Sequence, residues 1–216
     1  MLSTEERKSI IALIHSQVLP AIGCTEPIAV ALCVAKAREL LGTLPESIDI
    51  ELSANILKNA MGVGIPGTGM IGLPIAVALG AIVGRPELEL EVLQDSNKEA
   101  VERGKAYIAE DRIHISLKED APDKLYIAVK CSAGGHEAEA RIMHMHTNFV
   151  YLRKDADVML DNMAPREEEA KQVEVELTLR KVYEFATELV VLFLDVKQHK
   201  ASAAGAEQFA AFGSGL

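Results

Sequence analysis

Five glycines fall within eleven residues, at positions 62, 64, 67, 69 and 72, and no regular helix or strand can run unbroken through such a stretch. Glycine reaches backbone conformations closed to other residues and weakens a helix interior by about 1 kcal/mol. The apolar run before these glycines, from Ser53 to Met61, is helical in pattern. The chain must therefore leave a helix, turn tightly and resume, which makes the run either a loop that brings its backbone close to a ligand or a close crossing of two helices. Two nucleotide readings are excluded. Gly62-Val-Gly64-Ile-Pro-Gly67 has the dinucleotide spacing, but the segment before it is helical rather than extended and a proline precedes the third glycine. A phosphate loop needs a lysine after its last glycine, and none is present.

A second feature lies upstream. Leu19-Pro-Ala-Ile-Gly-Cys-Thr-Glu-Pro27 places Cys24 just before a helix, with Thr25 able to cap the first turn and apolar residues at helical spacing from Ile28 to Leu41. Free amides and the positive end of the helix dipole favour a thiolate there, the form that a metal or an iron–sulfur cluster requires. The plainer alternative is a small buried filler beside a tight turn.

The interior has to be built without large rings, because hydrophobic residues make up 49% of the chain and aromatics only 4%. Alanine, valine, isoleucine and leucine then favour closely packed helices. A net charge of −10 without a Lys/Arg cluster argues against nucleic acid and anionic membranes as partners. Cys24, Cys33 and Cys131 are too scattered for a disulfide framework, which suits a reducing cytoplasm, and Cys33 and Cys131 are expected in the core. Ser3-Thr-Glu-Glu6 reads as a capping box rather than a leader, and the apolar stretch 70–84 is too broken to span a bilayer.

Residues 4–41 and 54–84 read as helical, with a short strand at Ile48–Leu52 between them. Alternation then marks strands at Leu88–Val92, Ile113–Leu117, Leu125–Cys131 and Glu137–Met145, with Ser132–Gly135 as a turn and Phe149–Leu152 extending the sheet. Residues 97–110 form a helix among them, Asp155 to Ala164 a connection, and Glu167 to Glu188 a further helix. The expected fold is α+β: a helical lobe with the glycine loop (1–87), a smaller antiparallel sheet lobe with a covering helix (88–164), and a C-terminal helix returning to the helical lobe before an atypical tail (165–216).

Taken together, Gly23-Cys-Thr-Glu-Pro27, Asn55 with Lys58 to Gly69, and His146-Thr-Asn148 resemble the serine-dehydratase-like α-chain superfamily, in the branch of the iron–sulfur L-cysteine desulfidases and their bacterial relatives. The resemblance runs to about residue 188 and matches the N-terminal half of the family pattern. It implies a cytoplasmic lyase that converts L-cysteine to sulfide, ammonia and pyruvate, or L-serine to ammonia and pyruvate, with a 4Fe-4S cluster in place of pyridoxal phosphate. Cys24 inherits the role of a cluster ligand. Lys58 and His146 are candidate bases for the α-proton. Asn55, Asn59 and the loop at Gly64, Gly67 and Thr68 are candidates to hold the substrate carboxylate, and Glu26 its ammonium group.

His144 and His146 alternate in the expected strand and with Cys24 would offer three zinc ligands, but no fourth is nominated, so zinc ranks below the cluster. The family pattern continues into a second half that brings further cysteines. Nothing after Cys131 supplies a thiol here, and Leu189–Leu216 changes to an apolar and then compositionally biased stretch. The chain is thus expected to be an incomplete copy, or one completed by a partner chain. Three classes of function stand: a lyase whose missing ligands come from elsewhere, a non-catalytic module binding a small amino acid, and a self-associating remnant forming a homo-oligomer.

Overall fold

The computed structural model of the chain describes residues 2–163 and 177–188. Of these, residues 21–163 group into one compact unit, and residues 2–20 with 177–188 into another. The smaller unit contains helix α1 (Thr4–Gln17), which opens on the expected capping box: Glu6 N donates to Ser3 Oγ at 3.1 Å and Ser3 N donates to the Glu6 carboxylate at 2.9 Å. It also contains α6 (Leu179–Glu188), whose Lys181 Nζ lies 3.0 Å from Glu6 Oε1. The tail from 189 onward, and most of the helix expected from Glu167, lie outside the described residues.

The larger unit is built around α2 (Thr25–Leu41), buried at every residue from Pro27 to Ala35 and ended by Gly42 in the left-handed conformation. A helix with no polar face needs neighbours all round it, and it has them. Against one side packs α4 (Leu73–Ile82), at a crossing that only small residues allow: a Cβ on Gly80 would lie 2.6 Å from the Ala31 carbonyl oxygen, and one on Gly84 2.7 Å from Ala35 Cβ. Against α4 packs α5 (Lys98–Ala109), started by Asn97, whose side chain accepts from Ala100 N at 2.9 Å.

The other side of α2 rests on a six-stranded sheet of order β4-β1-β5-β6-β7-β8, comprising β1 (Ser47–Leu52), β4 (Ile113–Leu117), β5 (Tyr126–Ala133), β6 (His136–Met143), β7 (Phe149–Lys154) and β8 (Asp157–Asp161). Ile48, Ile50, Leu52, Ile127, Val129, Cys131, Ala138, Ala140 and Ile142 alternate along their strands and face the main core, while Tyr126, Ala128, Met143 and Val150 form a smaller buried cluster on the opposite face. Cys33 and Cys131 are both fully buried there, as expected for core cysteines.

The α+β class is as the sequence implied, and four details differ. The sheet is mixed, not antiparallel, because β1 pairs parallel with β4 while the remaining neighbours run antiparallel. β1 thereby carries residues of the expected helical lobe into the middle of the sheet. Leu88–Val92 is not a strand but part of a kinked 3₁₀ segment (Pro86–Glu91), in which Glu89 has φ 50°. Its alternation reflects burial alone: Leu90 and Val92 face the core while the glutamates do not. Residues 155–164 are more than a connection, since β8 forms there against β7. The helical stretch 54–84 is interrupted by a two-stranded hairpin, β2 (Gly64–Ile65) and β3 (Met70–Ile71), between α3 (Ala54–Met61) and α4.

Candidate functional site

Two elements that bear sequence motifs, α3 and the hairpin after it, meet the N-terminal end of α2. Ser53 fixes the first of them. This buried residue donates its hydroxyl to Lys124 O at 2.7 Å and exchanges backbone contacts with Tyr126, which ties the start of α3 to β5. Helix α3 then carries Asn55, Lys58 and Asn59 outward and ends at Gly62. The hairpin follows, and Thr68 shapes its turn: the hydroxyl donates to Ile65 O at 2.7 Å and accepts from Met70 N at 3.0 Å. Gly67 and Gly69 take positive φ there. Gly72, at φ 90°, returns the chain into α4 with its α-carbon so close to Met61 that a Cβ would lie 2.8 Å from the Met61 carbonyl oxygen.

The hairpin sits directly on the turn that holds the cysteine. Gly23 has φ 87°, and a Cβ there would lie 2.8 Å from Pro66 Cγ, so the two glycine-containing motifs touch. Cys24 is the N-cap residue of α2 and is half-buried; Thr25, the expected cap, is instead the first residue of the helix.

Glu26 organises the surrounding side chains. Its Oε2 accepts from Cys24 Sγ at 3.0 Å and from the Thr25 hydroxyl at 3.3 Å, and its Oε1 accepts from Asn59 Nδ2 at 3.2 Å. These hydrogen bonds, that from Cys24 foremost, hold the Glu26 pKa below the usual carboxylate range against the opposing effect of burial. Burial and the neighbouring Glu26 push the Cys24 thiol up, opposing the dipole effect that favours a thiolate. His146 is half-buried, and its pKa is lowered by desolvation and partly restored by the Glu26 charge.

Cys24, Glu26 and Asn59 are therefore brought together, with Gly23 beside them against Pro66 of the hairpin. Lys58 and Asn55 are exposed on α3, and Thr68 spends its hydroxyl inside the hairpin. The two histidines do not share a strand face. Strand β6 ends at Met143, and His144 follows at φ 69° with Nδ1 2.7 Å from Asp123 Oδ2, while His146 lies further along the turn. Asn148 closes that turn by donating to Met143 O at 3.0 Å. The contact of Pro66 with Gly23 and the bond from Thr25 to Glu26 were not legible beforehand: the first joins residues 43 positions apart, and the second needs the helix start to be placed one residue earlier.

An iron–sulfur cluster is held chiefly by thiolates. Cys33 is in the core, with Sγ 3.2 Å from Ala140 O, Cys131 is fully buried too, and among the described residues no three His, Cys, Asp or Glu side chains stand where they could share a metal ion. The described residues supply one ligand, Cys24, and do not by themselves fit a cluster.

The chain is similar to UPF0597 proteins. It is 64% identical over 185 residues to one from Bacteroides fragilis, covering 86% of this chain and 43% of that protein, and 64% identical over 181 residues to one from Bacteroides thetaiotaomicron, covering 84% and 42%. A UPF0597 protein from Porphyromonas gingivalis is 44% identical over 191 residues, covering 86% and 44%. The chain thus spans little more than two-fifths of the length of the curated relatives it matches. No protein-family model matches it. No solved structure matches it either.

Proposed function

We propose that this chain carries the amino-acid-gripping part of a cytoplasmic lyase site that acts on L-cysteine or L-serine and releases ammonia and pyruvate, with sulfide from cysteine. The observation that supports this reading is the Glu26 carboxylate, fixed by Cys24, Thr25 and Asn59. A carboxylate offers about four acceptor positions, and three protein donors leave room for one more, the place for a substrate ammonium. Asn59 has a second amide hydrogen, and with Asn55 and the Gly64–Gly67 backbone it offers donors to the substrate carboxylate. His146 is the group suited to accept the α-proton, with the exposed Lys58 as the alternative base. In this reading Cys24 is one ligand of a 4Fe-4S cluster whose other ligands come from beyond the described residues.

One observation favours a second reading, a non-catalytic amino-acid-binding module: Cys24 is the single thiol outside the core among the described residues. Calorimetry with L-cysteine and L-serine on metal-free protein tests what the two readings share. Binding is expected for at least one of them, with a loss of about tenfold in Glu26→Gln, the scale of one charge-assisted hydrogen bond. Absence of binding to either amino acid overturns both readings. Iron and sulfide content and pyruvate formation after oxygen-free reconstitution, with Cys24→Ser as control, then separate lyase from module.

A further inference from the structure

The two end strands of the six-stranded sheet each have a neighbour on one side only among the described residues, and they differ in how that edge is guarded. Strand β8 begins with Asp157 and ends with Asp161, and its pairing with β7 skips Met159, so that the strand bulges. Charged ends and a bulge are means by which proteins keep an edge from pairing with another chain. Strand β4 has neither. Its sequence, Ile-His-Ile-Ser-Leu, contains no Lys, Asp, Glu or Pro, and its register against β1 is regular throughout.

The bonds of β4 to β1 show which of its backbone groups are left over. Ile48 N donates to Arg112 O at 2.8 Å, and Lys118 N donates to Leu52 O at 2.8 Å. In a parallel pair the residues bonded to the neighbouring strand alternate, so His114 and Ser116 also turn toward β1, and the N–H and C=O groups of Ile113, Ile115 and Leu117 point away from the sheet. Among the described residues these groups have no backbone partner. The side chains of Ile113 and Ile115 are partly buried against the main core, and that of Leu117 is 47% exposed.

We infer that β4 is the seam of a homodimer, in which the β4 strands of two copies pair antiparallel about a two-fold axis at Ile115 and join the two sheets into one. An isologous contact requires the strand to complement its own reverse, and β4 does. Ile115 falls opposite Ile115 of the second copy and Ile113 opposite Leu117, so apolar residues meet on the core side and every outward N–H and C=O finds a partner. His114 falls opposite Ser116 on the other face. Arg112 and Lys118, which flank the strand, come opposite each other, but Glu110 pairs with Arg112 and Glu51 lies 3.2 Å from Lys118, so each is neutralised within its own copy. The same operation on β8, about Met159, sets Asp157 against Asp161 twice. A partner of different sequence would not require this self-complementarity, which is why a second copy is the occupant assigned.

Sedimentation velocity on the 216-residue chain is expected to give twice the mass of one chain. Leu117→Pro removes one outward N–H from each copy and touches no bond to β1; it is expected to weaken the dimer by about thirtyfold, the scale of one hydrogen bond lost in each copy. Leu117→Lys, an exposed substitution that leaves the backbone intact, is expected to weaken it as well, while Met159→Lys at the other edge leaves the mass unchanged. The register is read by disulfide trapping in a Cys24→Ser background. His114 and Ser116 form a pair without mutual hydrogen bonds, about 4.5 Å apart at Cα, within reach of a disulfide. A mixture of His114→Cys and Ser116→Cys proteins is therefore expected to cross-link on oxidation, and neither variant alone, because like positions lie diagonally at about 7–8 Å. A chain that is monomeric at every concentration overturns the proposal. So does a dimer that withstands both Leu117 substitutions, or one that cross-links equally in unmixed samples. None of these readouts involves an amino acid, so this inference and the proposed function can fail separately.

Discussion

The glycines of the α2–α4 crossing and those of the 64–71 hairpin are chemically identical and do opposite work. Gly80 lies inside α4 and Gly84 just beyond its end, and both are required for lack of space: a Cβ on Gly80 would meet the Ala31 backbone of α2, and one on Gly84 would meet Gly80 O and the Ala35 side chain. Gly67 and Gly69 have open space where a Cβ would go and are required because the backbone there takes φ of 75° and 65°. The first pair serves the core, where packing at crystalline density makes one methyl group costly. The second pair serves a surface turn, where only the conformation of the chain is at stake. Gly23 combines both demands, with φ 87° and Pro66 against it, and it is the position at which the hairpin and the cysteine turn are held together.

This contrast predicts a graded series. Gly80→Val should be the most damaging, because the obstructing atom is a backbone carbonyl in a buried helix: a loss of about 3 kcal/mol or more, or no folded protein, read by urea denaturation. A loss below about 1 kcal/mol would mean that the crossing relaxes and that the core is not close-packed there. Gly23→Ala should cost about 2 kcal/mol, from positive φ and the Pro66 contact together, and should also weaken amino-acid binding by separating the hairpin from Cys24. Gly67→Ala carries only the conformational penalty, about 1 kcal/mol, and should leave the other elements in place.

The cysteines give the same comparison in chemical form, and a smaller effect. Only Cys24 of the three is outside the core, so alkylation of the native protein should label it alone, while Cys33 and Cys131 react after unfolding. Burial pushes the Cys131 thiol up to about 12 and raises that of Cys33 well above the ordinary range. Cys24 is raised too, by burial first and by Glu26 second. A folded pKa above the unfolded one means that the thiol form is the stabilised one. That contribution is complete below the unfolded pKa and disappears as the pH rises through the folded value. Glu26→Gln removes the charge that disfavours the thiolate, so alkylation of Cys24 near pH 8 should speed up by about threefold to tenfold. A slower reaction would show that Glu26 acts on the sulfur as a proton acceptor more than as a repelling charge.

How much of the site was legible follows from how far apart its members are in the chain. Cys24 before a helix and the glycine run are local patterns, read from neighbouring residues, and both lie where they were expected. The strand pairing of β5 with β6 around Gly134-Gly135 was legible for the same reason, since a tight turn fixes its register. The pairing of β1 with β4 was not, because it joins Ile48 to Ile113 in parallel and no turn links them. Leu88–Val92 misled because alternate burial does not require a ladder of hydrogen bonds. His144 and His146 parted because the strand stops at Met143 and the chain turns through a left-handed residue.

By itself the sequence determined the composition of the layers: small aliphatic residues for a helix buried along most of its length, alternation for strands that turn one face to the main core, and glycines where the chain must bend or another helix must approach. It also marked the residues able to do chemistry, through their types and local spacing. Only the tertiary structure decided which of them meet. Asn59 reaches Glu26 across 33 residues because Ser53 is pinned to β5, and Pro66 touches Gly23 because the hairpin folds back over the start of α2. Local propensity acts through a few neighbouring residues, whereas these contacts depend on how buried elements pack against one another, and no short stretch of chain contains that information.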